Sequence, residues 1–136
     1  LSYKLIQYFG GNLAGKTIGI WGLAFKPNTD DIREAPALTI ISKLLEAGAK
    51  IKAFDPEAMP NVQRVLGDKI EFCKNEYEAI QDVDALAIVT EWNVFRTPDF
   101  DHMKLNMKNL AIFDGRNMYD VKTIRNLGFH YDSIGR

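Results

Sequence analysis

Residues 17–36 place a strand, a charged loop and the start of a helix in direct succession. The β-branched run at 17–20 predicts a buried strand that ends at Gly22. The loop that follows holds two cations and two carboxylates, and Pro36 suits the first turn of a helix. Ligands of open α/β sheets bind beyond the carboxyl ends of the strands, which is where this loop would lie. The segment therefore predicts an α/β sheet whose first loop binds an anion, and a phosphate group suits such cations.

Strands and helices alternate along the whole chain. Apolar and β-branched runs predict strands at 16–22, 51–55, 70–72, 85–89, 111–113 and 129–131 together with 134. Helical periodicity, with glycine or proline at the boundaries, predicts helices at 1–9, 36–47, 59–66, 77–80, 99–107 and 121–127. This alternation implies parallel strands joined by right-handed crossovers. The predicted fold class is α/β: a Rossmann-like, doubly wound, mostly parallel sheet with helices on both faces.

The size and composition of the chain fit one globular domain. Its 136 residues can bury roughly two thirds of the unfolded surface, and a net charge of -1 gives no basis for a nucleic acid or an anionic membrane as partner. No apolar run approaches the length of a membrane span, and the start does not read as a signal peptide. The single cysteine, Cys73, excludes an internal disulfide and fits a reducing compartment, so we expect a cytoplasmic location. The chain opens at Leu1 rather than at Met, and we expect it to be cut from a longer protein.

The loop after the first strand does not carry the glycine fingerprint of a dinucleotide-binding domain. That fingerprint needs glycines for a tight turn and for close approach of the backbone to a pyrophosphate. Gly19 and Gly22 are present, but the apolar residues 23–25 follow them. Asp55 ends the second strand, where a ribose-binding acid would lie, and with Pro56 we interpret it as a turn residue. We therefore predict a Rossmann-like sheet without a dinucleotide site of its own.

Two non-enzymatic classes of protein share this predicted fold: a phospho-receiver domain and a regulatory module that binds a nucleotide. A phospho-receiver domain needs its acidic pair at the end of the first strand, whereas Asp30 and Asp31 lie well beyond it. It also needs a lysine after the fifth strand, where this chain has residues 114–116, Asp-Gly-Arg. The receiver interpretation therefore fails on placement. A stand-alone regulatory module that binds a nucleotide stays open.

Four short segments together resemble the C-terminal domain signature of the UDP-glucose/GDP-mannose dehydrogenase family. They are, in chain order, GLAFKPNTDDIREAP at 22–36, AFDP at 53–56, VTEW at 89–92 and FDGRN at 113–117. The resemblance extends over residues 16–136, and bacterial UDP-glucose 6-dehydrogenases form the subfamily that the chain resembles most. The same domain of a UDP-N-acetylmannosamine or GDP-mannose dehydrogenase is the alternative within the family.

The resemblance implies an enzyme built from three parts. An N-terminal domain binds NAD, a long helix follows, and a C-terminal domain closes over the UDP-sugar. Residues 1–14 would be the end of that inter-domain helix, and residues 15–136 the UDP-sugar-binding domain. The implied reaction oxidises UDP-glucose to UDP-glucuronate in two hydride transfers, in a homodimer or higher homo-oligomer. The family's catalytic cysteine lies in a segment that Cys73 does not match, so the isolated chain is expected to be inactive, with no catalytic residue of its own.

The resemblance also implies roles for four residues. Phe25 and Lys26 match a pair that contacts the substrate, Arg116 matches an arginine that binds it, and Arg33 matches an arginine that reaches NAD. Structural alternatives exist for each: Phe25 in the core, Lys26 in solvent, Arg33 paired with one of the two loop carboxylates, and Arg116 paired with Asp114.

The remaining polar residues are interpreted as structural. Asp30 and Asp31 are expected to orient Lys26 and Arg33 and to bind loop amides rather than to act as a catalytic pair. Trp92 is expected to pack, although the adjacent Glu91 ends a central strand and could line the cleft. The two histidines, 102 and 130, have no partners at metal-ligand spacing, so no metal site is expected.

Overall fold

The computed structural model describes residues 1–135 and has one six-stranded sheet at its centre. All its strand pairs are parallel, and the spatial order is β3-β2-β1-β4-β5-β6. The strands are β1 (Thr17–Trp21), β2 (Lys50–Phe54), β3 (Glu71–Phe72), β4 (Ala85–Ile88), β5 (Ala111–Asp114) and β6 (His130–Ser133). This order is that of a doubly wound Rossmann sheet, so the predicted fold class is confirmed.

Five α-helices and three 3₁₀ turns connect or flank the strands. The helices are α1 (Ser2–Tyr8), α2 (Pro36–Glu46), α3 (Met59–Leu66), α4 (Phe100–Asn106) and α5 (Val121–Asn126). The 3₁₀ turns are Gly67–Lys69, Glu78–Ile80 and Asn93–Phe95. Right-handed crossovers place α2 and α3 on one face of the sheet and α4 and α5 on the other. Within residues 1–135, every helix is too short or too polar to cross a membrane.

The carboxyl ends of five strands lie in register across the sheet. Cross-strand partners form one continuous row: Phe54, Trp21, Ile88, Asp114 and Ser133. The loops that follow these strands therefore begin at the same level and at the same edge. The crevice of a doubly wound sheet opens at this edge between β1 and β4, where the strand order reverses.

That crevice is filled by the chain itself. Gly22 leaves β1 with a φ of +98°, and a Cβ atom there would lie 2.5 Å from the backbone nitrogen of Thr90. The Thr90 hydroxyl in turn donates a hydrogen bond of 2.8 Å to the carbonyl oxygen of Ala24. The loops after β1 and β4 are thus in direct contact at the point where the strand order reverses.

The last strand differs from its predicted extent. It continues through Ser133, and Ile134 lies outside the strand, half exposed. The Asn117 side chain explains this departure, because its amide donates to the Ile134 carbonyl at 2.9 Å and its oxygen accepts the Ile134 N–H at 2.8 Å. A side chain thus takes both backbone groups that a longer strand would have used. The helix predicted at 77–80 is likewise shorter, a single 3₁₀ turn.

Replacing Gly22 by alanine should destabilise the fold strongly. The left-handed backbone costs an L-residue about 1–2 kcal/mol, and displacing the Thr90 backbone adds about 1–3 kcal/mol. Gly10→Ala is the matched control, since Gly10 also has a positive φ (+83°) but nothing lies within 4 Å of the added Cβ. Urea unfolding should therefore show a larger loss for Gly22→Ala than for Gly10→Ala. Equal losses would mean that Thr90 yields to the new methyl group.

Candidate functional site

Arg116 is presented by a turn that a buried aspartate fixes. Asp114 ends β5 with no solvent exposure, and its Oδ1 accepts the Arg116 backbone N–H at 2.8 Å. Its Oδ2 accepts the Met118 N–H at 2.7 Å and the Tyr131 hydroxyl at 2.6 Å. The buried carboxylate is therefore hydrogen-bonded on both oxygens, and residues 115–118 are anchored to the end of the strand.

The Arg116 guanidinium pairs with Glu91 rather than with Asp114. Its Nε and Nη2 donate to Oε2 of Glu91 at 3.0 and 2.6 Å. The alternative that Arg116 pairs with Asp114 is therefore wrong for the side chain, because Asp114 accepts only its backbone N–H. Glu91 follows β4, so this ion pair joins the ends of two neighbouring strands. Nη1 of Arg116 forms no hydrogen bond with residues 1–135 and can receive a ligand.

Glu91 remains charged in this pair. Burial acts to raise the pKa of Glu91, but the hydrogen bond and charge of Arg116, a backbone hydrogen bond and the charge of Arg96 outweigh it, so the pKa is lowered. In the part of the chain that the structure describes, Oε1 of Glu91 is buried without a hydrogen-bond partner. The Glu91 carboxylate therefore holds Arg116 through Oε2, while its other oxygen lacks a donor among the described residues.

A hollow of about 230 Å³ lies beside Arg116. It opens at the carboxyl edge of β4 and β5, and its walls are largely apolar. A cation at the rim of an apolar hollow can bind an anionic group while the rest of the ligand lies against the walls. The lining residues are Leu1, Pro36, Ile40, Val89, Gly115, Arg116 and Ile134.

Phe25 lies on the surface of the loop after β1. Its exposed fraction is 47%, which is too large for a core residue, so the core alternative is wrong. The backbone N–H of Phe25 donates to the carbonyl of Asp31 at 2.8 Å, which folds the loop back on itself. With Arg33 and Glu34, these two residues line a second hollow of about 350 Å³. An exposed aromatic ring at the edge of a hollow is available as a ligand-binding wall.

Lys26 is exposed and forms no hydrogen bond or ion pair with residues 1–135. It lies in neither of the two hollows described above, so the structure does not bring it together with Arg116 in one cavity. The two residues do follow strands that end at the same edge. Since β4 alone separates β1 from β5, the strand ends are about 10 Å apart. Convergence of the two cations on one ligand stays a prediction.

Arg33 forms a fork with Asp31. Its Nε and Nη2 donate to the two carboxylate oxygens at 3.0 and 2.9 Å, and its backbone N–H donates to Oδ1 at 2.9 Å. The Arg33 side-chain hydrogen bond is the largest cause that lowers the pKa of Asp31 to about 2. The Arg33 side chain remains 87% exposed. Asp31 thus orients Arg33 as expected, whereas the neighbouring Asp30 fixes the loop through its carbonyl, which accepts from Asn61 at 2.9 Å.

Asp55 has contacts that the turn interpretation did not include. Its Oδ1 does form the expected turn, accepting the N–H groups of Glu57 and Ala58 at 2.8 Å each. Its Oδ2 also accepts the two backbone N–H groups of residues 23–24 and the indole N–H of Trp92. The sequence shows an acid at the end of a buried strand, but the three donors to Oδ2 lie more than 30 residues away along the chain. With no solvent exposure, Asp55 is closed to a ribose.

Cys73 is buried and is not activated. Burial, with added repulsion from Glu71 and Glu78, raises the pKa of the thiol to about 12. The thiol therefore stays protonated at neutral pH and is a poor nucleophile. The same three side chains lie within 4.8 Å of one another, but a protonated thiol between partly exposed carboxylates gives no reason to assign a metal.

Comparison with known proteins identifies the family. Residues 19–121 match the UDP binding domain of the UDP-glucose/GDP-mannose dehydrogenase family. A UDP-glucose 6-dehydrogenase from Rhizobium meliloti is 43% identical over 133 residues. The match covers 98% of this chain but 30% of that protein, so the chain corresponds to less than a third of its relative.

Two solved structures share the fold. A UDP-glucose dehydrogenase from the archaeon Pyrobaculum islandicum superposes with a TM-score of 0.77 at 30% identity, covering 96% of this chain and 28% of that one. An NDP-N-acetyl-D-galactosaminuronic acid dehydrogenase from Methanosarcina mazei gives a TM-score of 0.82 at 25% identity, covering 99% of this chain and 28% of that one.

The Arg33 fork can be tested by titration. An NMR titration should place the pKa of Asp31 at about 2, and Arg33→Ala should return it towards the ordinary value of 3.8. Lys104→Ala in the last turn of α4, which removes an exposed cation outside this loop, is the control and should leave the pKa of Asp31 at about 2. An Asp31 pKa that Arg33→Ala leaves unchanged would show that the fork is not formed in solution.

Proposed function

The chain belongs to the UDP-glucose/GDP-mannose dehydrogenase family, and we propose that it is the C-terminal, UDP-binding domain of an NAD-dependent UDP-glucose 6-dehydrogenase. The intact enzyme would oxidise UDP-glucose to UDP-glucuronate in two hydride transfers. The observation that carries the proposal is the Arg116 guanidinium, which lines an apolar hollow, is held by Glu91, and keeps Nη1 free of hydrogen bonds to residues 1–135. The 43% identity to a UDP-glucose 6-dehydrogenase supports the choice of sugar.

The geometry suits a ligand that is anionic at one end. Arg116 would form charge-assisted hydrogen bonds to the diphosphate, each worth about 1.5–3 kcal/mol. Phe25 would supply an apolar wall at the end of β1, and Lys26 would place an ammonium near the phosphates or the sugar hydroxyls. Glu91 would keep Arg116 extended along the sheet edge before the ligand arrives, which reduces the ordering that binding requires.

Arg33 would serve NAD rather than the sugar. One edge of its guanidinium is engaged by Asp31, and the side chain is otherwise open to solvent. A planar guanidinium can hold one partner on each edge, so the fork leaves an edge for an incoming phosphate or carbonyl. The NAD-binding site itself would belong mainly to another domain of the enzyme.

The remaining parts of the enzyme would complete the reaction. Residues 1–14 would end the inter-domain helix, and α1 would be its last helical stretch. Cys73 is protonated and offers no nucleophile, so the chain alone should not reduce NAD. The intact enzyme would form a homodimer or higher homo-oligomer.

The reaction is tested with the intact protein. We expect two NADH per UDP-glucose, with UDP-N-acetylmannosamine and GDP-mannose turned over much more slowly. Arg33→Ala in the same assay should raise the KM for NAD and leave that for UDP-glucose unchanged. A preference for either of the other nucleotide sugars would assign a different member of the family, and the absence of NADH with all three would overturn the dehydrogenase proposal.

Arg116→Ala should weaken UDP binding by about ten- to a hundredfold, because it removes charge-assisted hydrogen bonds to the diphosphate. Lys26→Ala should weaken it less, since an ammonium cannot bind a phosphate as a fork. Lys104→Ala in the last turn of α4, which removes an exposed cation outside these loops, is the control. Calorimetric titration with UDP-glucose and UDP, with thermal melts alongside, measures both effects. An Arg116→Ala protein that binds UDP as the unaltered protein does would remove Arg116 from the site.

A further inference from the structure

We propose that Asp55 is a positioning residue for the UDP-sugar, because its buried carboxylate holds the loop that presents Phe25 and Lys26 and the loop whose Glu91 pairs with Arg116. This inference rests on the proposed function for its ligand. It goes beyond that function by assigning a role to a residue that never touches the ligand.

The carboxylate of Asp55 receives five N–H donors from three separate segments. Residues 23–24 after β1 donate two backbone N–H groups to Oδ2, at 2.7 and 3.0 Å. Trp92, after β4, donates its indole N–H to the same oxygen at 2.9 Å. The turn at 57–58 donates two further N–H groups to Oδ1. No cation among residues 1–135 forms an ion pair with Asp55, so these donors alone stabilise the buried charge.

The loop after β1 carries two of the proposed ligand-binding residues directly after its bond to Asp55. Ala24 is held by Asp55 through its N–H and by Thr90 through its carbonyl, and Phe25 and Lys26 come directly after it. The exposed pair therefore projects from a peptide that is fixed on both sides.

The second loop reaches Arg116 through one further contact. Trp92 is held by Asp55 through its indole, and the preceding residue, Glu91, holds the Arg116 guanidinium at 2.6 Å. The chain of contacts thus runs from the buried carboxylate to both sides of the proposed site.

The burial of Asp55 also defines what the site is not. In a dinucleotide-binding sheet, amide groups after the first strand are free for a pyrophosphate and an acid after the second strand is free for a ribose. Here Asp55 accepts hydrogen bonds from those amide groups. Neither the acid nor the amides are then free to bind a ligand, and together they support a loop. A group that is wholly buried and fully hydrogen-bonded is suited to fixing geometry, and neutralising it would leave several donors unsatisfied.

The test compares Asp55→Asn with a control in the intact protein, titrated with UDP well below the melting temperature of each variant. The asparagine amide can accept on one side only, so at least two of the five N–H groups lose their acceptor. We expect UDP to bind about tenfold more weakly or worse, because the loop that carries Lys26 and the loop whose Glu91 holds Arg116 are no longer fixed. Met103→Ala on α4, a buried site away from these loops, is the control for lost stability and should leave UDP affinity unchanged.

A milder variant keeps the proposal testable if Asp55→Asn does not fold. Trp92→Phe removes one donor only, and we expect it to weaken UDP binding about threefold while leaving the melt close to that of Met103→Ala. The indole N–H resonance of Trp92 in an ¹H–¹⁵N spectrum of Asp55→Asn should shift, which reports loss of the carboxylate contact directly.

The outcomes separate the two proposals. If the unaltered protein binds UDP and both Asp55→Asn and Trp92→Phe bind it equally well, or if Met103→Ala loses as much affinity as they do, Asp55 only stabilises the fold and this inference is wrong. If the unaltered protein itself does not bind UDP, the proposed function is overturned and the inference falls with it.

Discussion

A carboxylate that is removed from water must be hydrogen-bonded, and this domain places two of them where strands end. Asp55 follows β2 and Asp114 ends β5, both without solvent exposure. Each draws backbone N–H groups from the residues just after it and adds a side-chain donor from a distant part of the chain, Trp92 or Tyr131. The large desolvation cost of a buried charge makes these contacts obligatory, so the loops have little freedom to adopt other conformations.

The pattern of exposed cations on a fixed frame follows from this arrangement. Backbones at the carboxyl edge are tied down, whereas the side chains that project from them are exposed or half exposed. The Arg33 and Arg116 guanidiniums are each held by one carboxylate on one edge, which orients them without burying them. Exposed ion pairs of this kind contribute little to stability, and the proposed function gives them the role of directing a charge towards a ligand.

The sequence was sufficient for the sheet but only partly for the site. Alternating apolar runs and glycine or proline boundaries predicted all six strands and the doubly wound class, because those signals are local. The partner of Arg116 could not be predicted, since Glu91 is 25 residues away and meets it only after β4 and β5 pair. For the same reason the sequence predicts only a turn at Asp55. The pattern Asp-Pro indicates its two local hydrogen bonds, but nothing local indicates its three distant donors.

The row of five strand ends at one level has an evolutionary consequence. The last residues of these strands are cross-strand partners, so each connection at that edge begins at the same level of the sheet. The residues are Phe54, Trp21, Ile88, Asp114 and Ser133. An insertion or deletion in one connection changes its own length without shifting the pairing of its neighbours. Single loops of such a scaffold can therefore differ in length and composition while the sheet and the neighbouring connections stay the same.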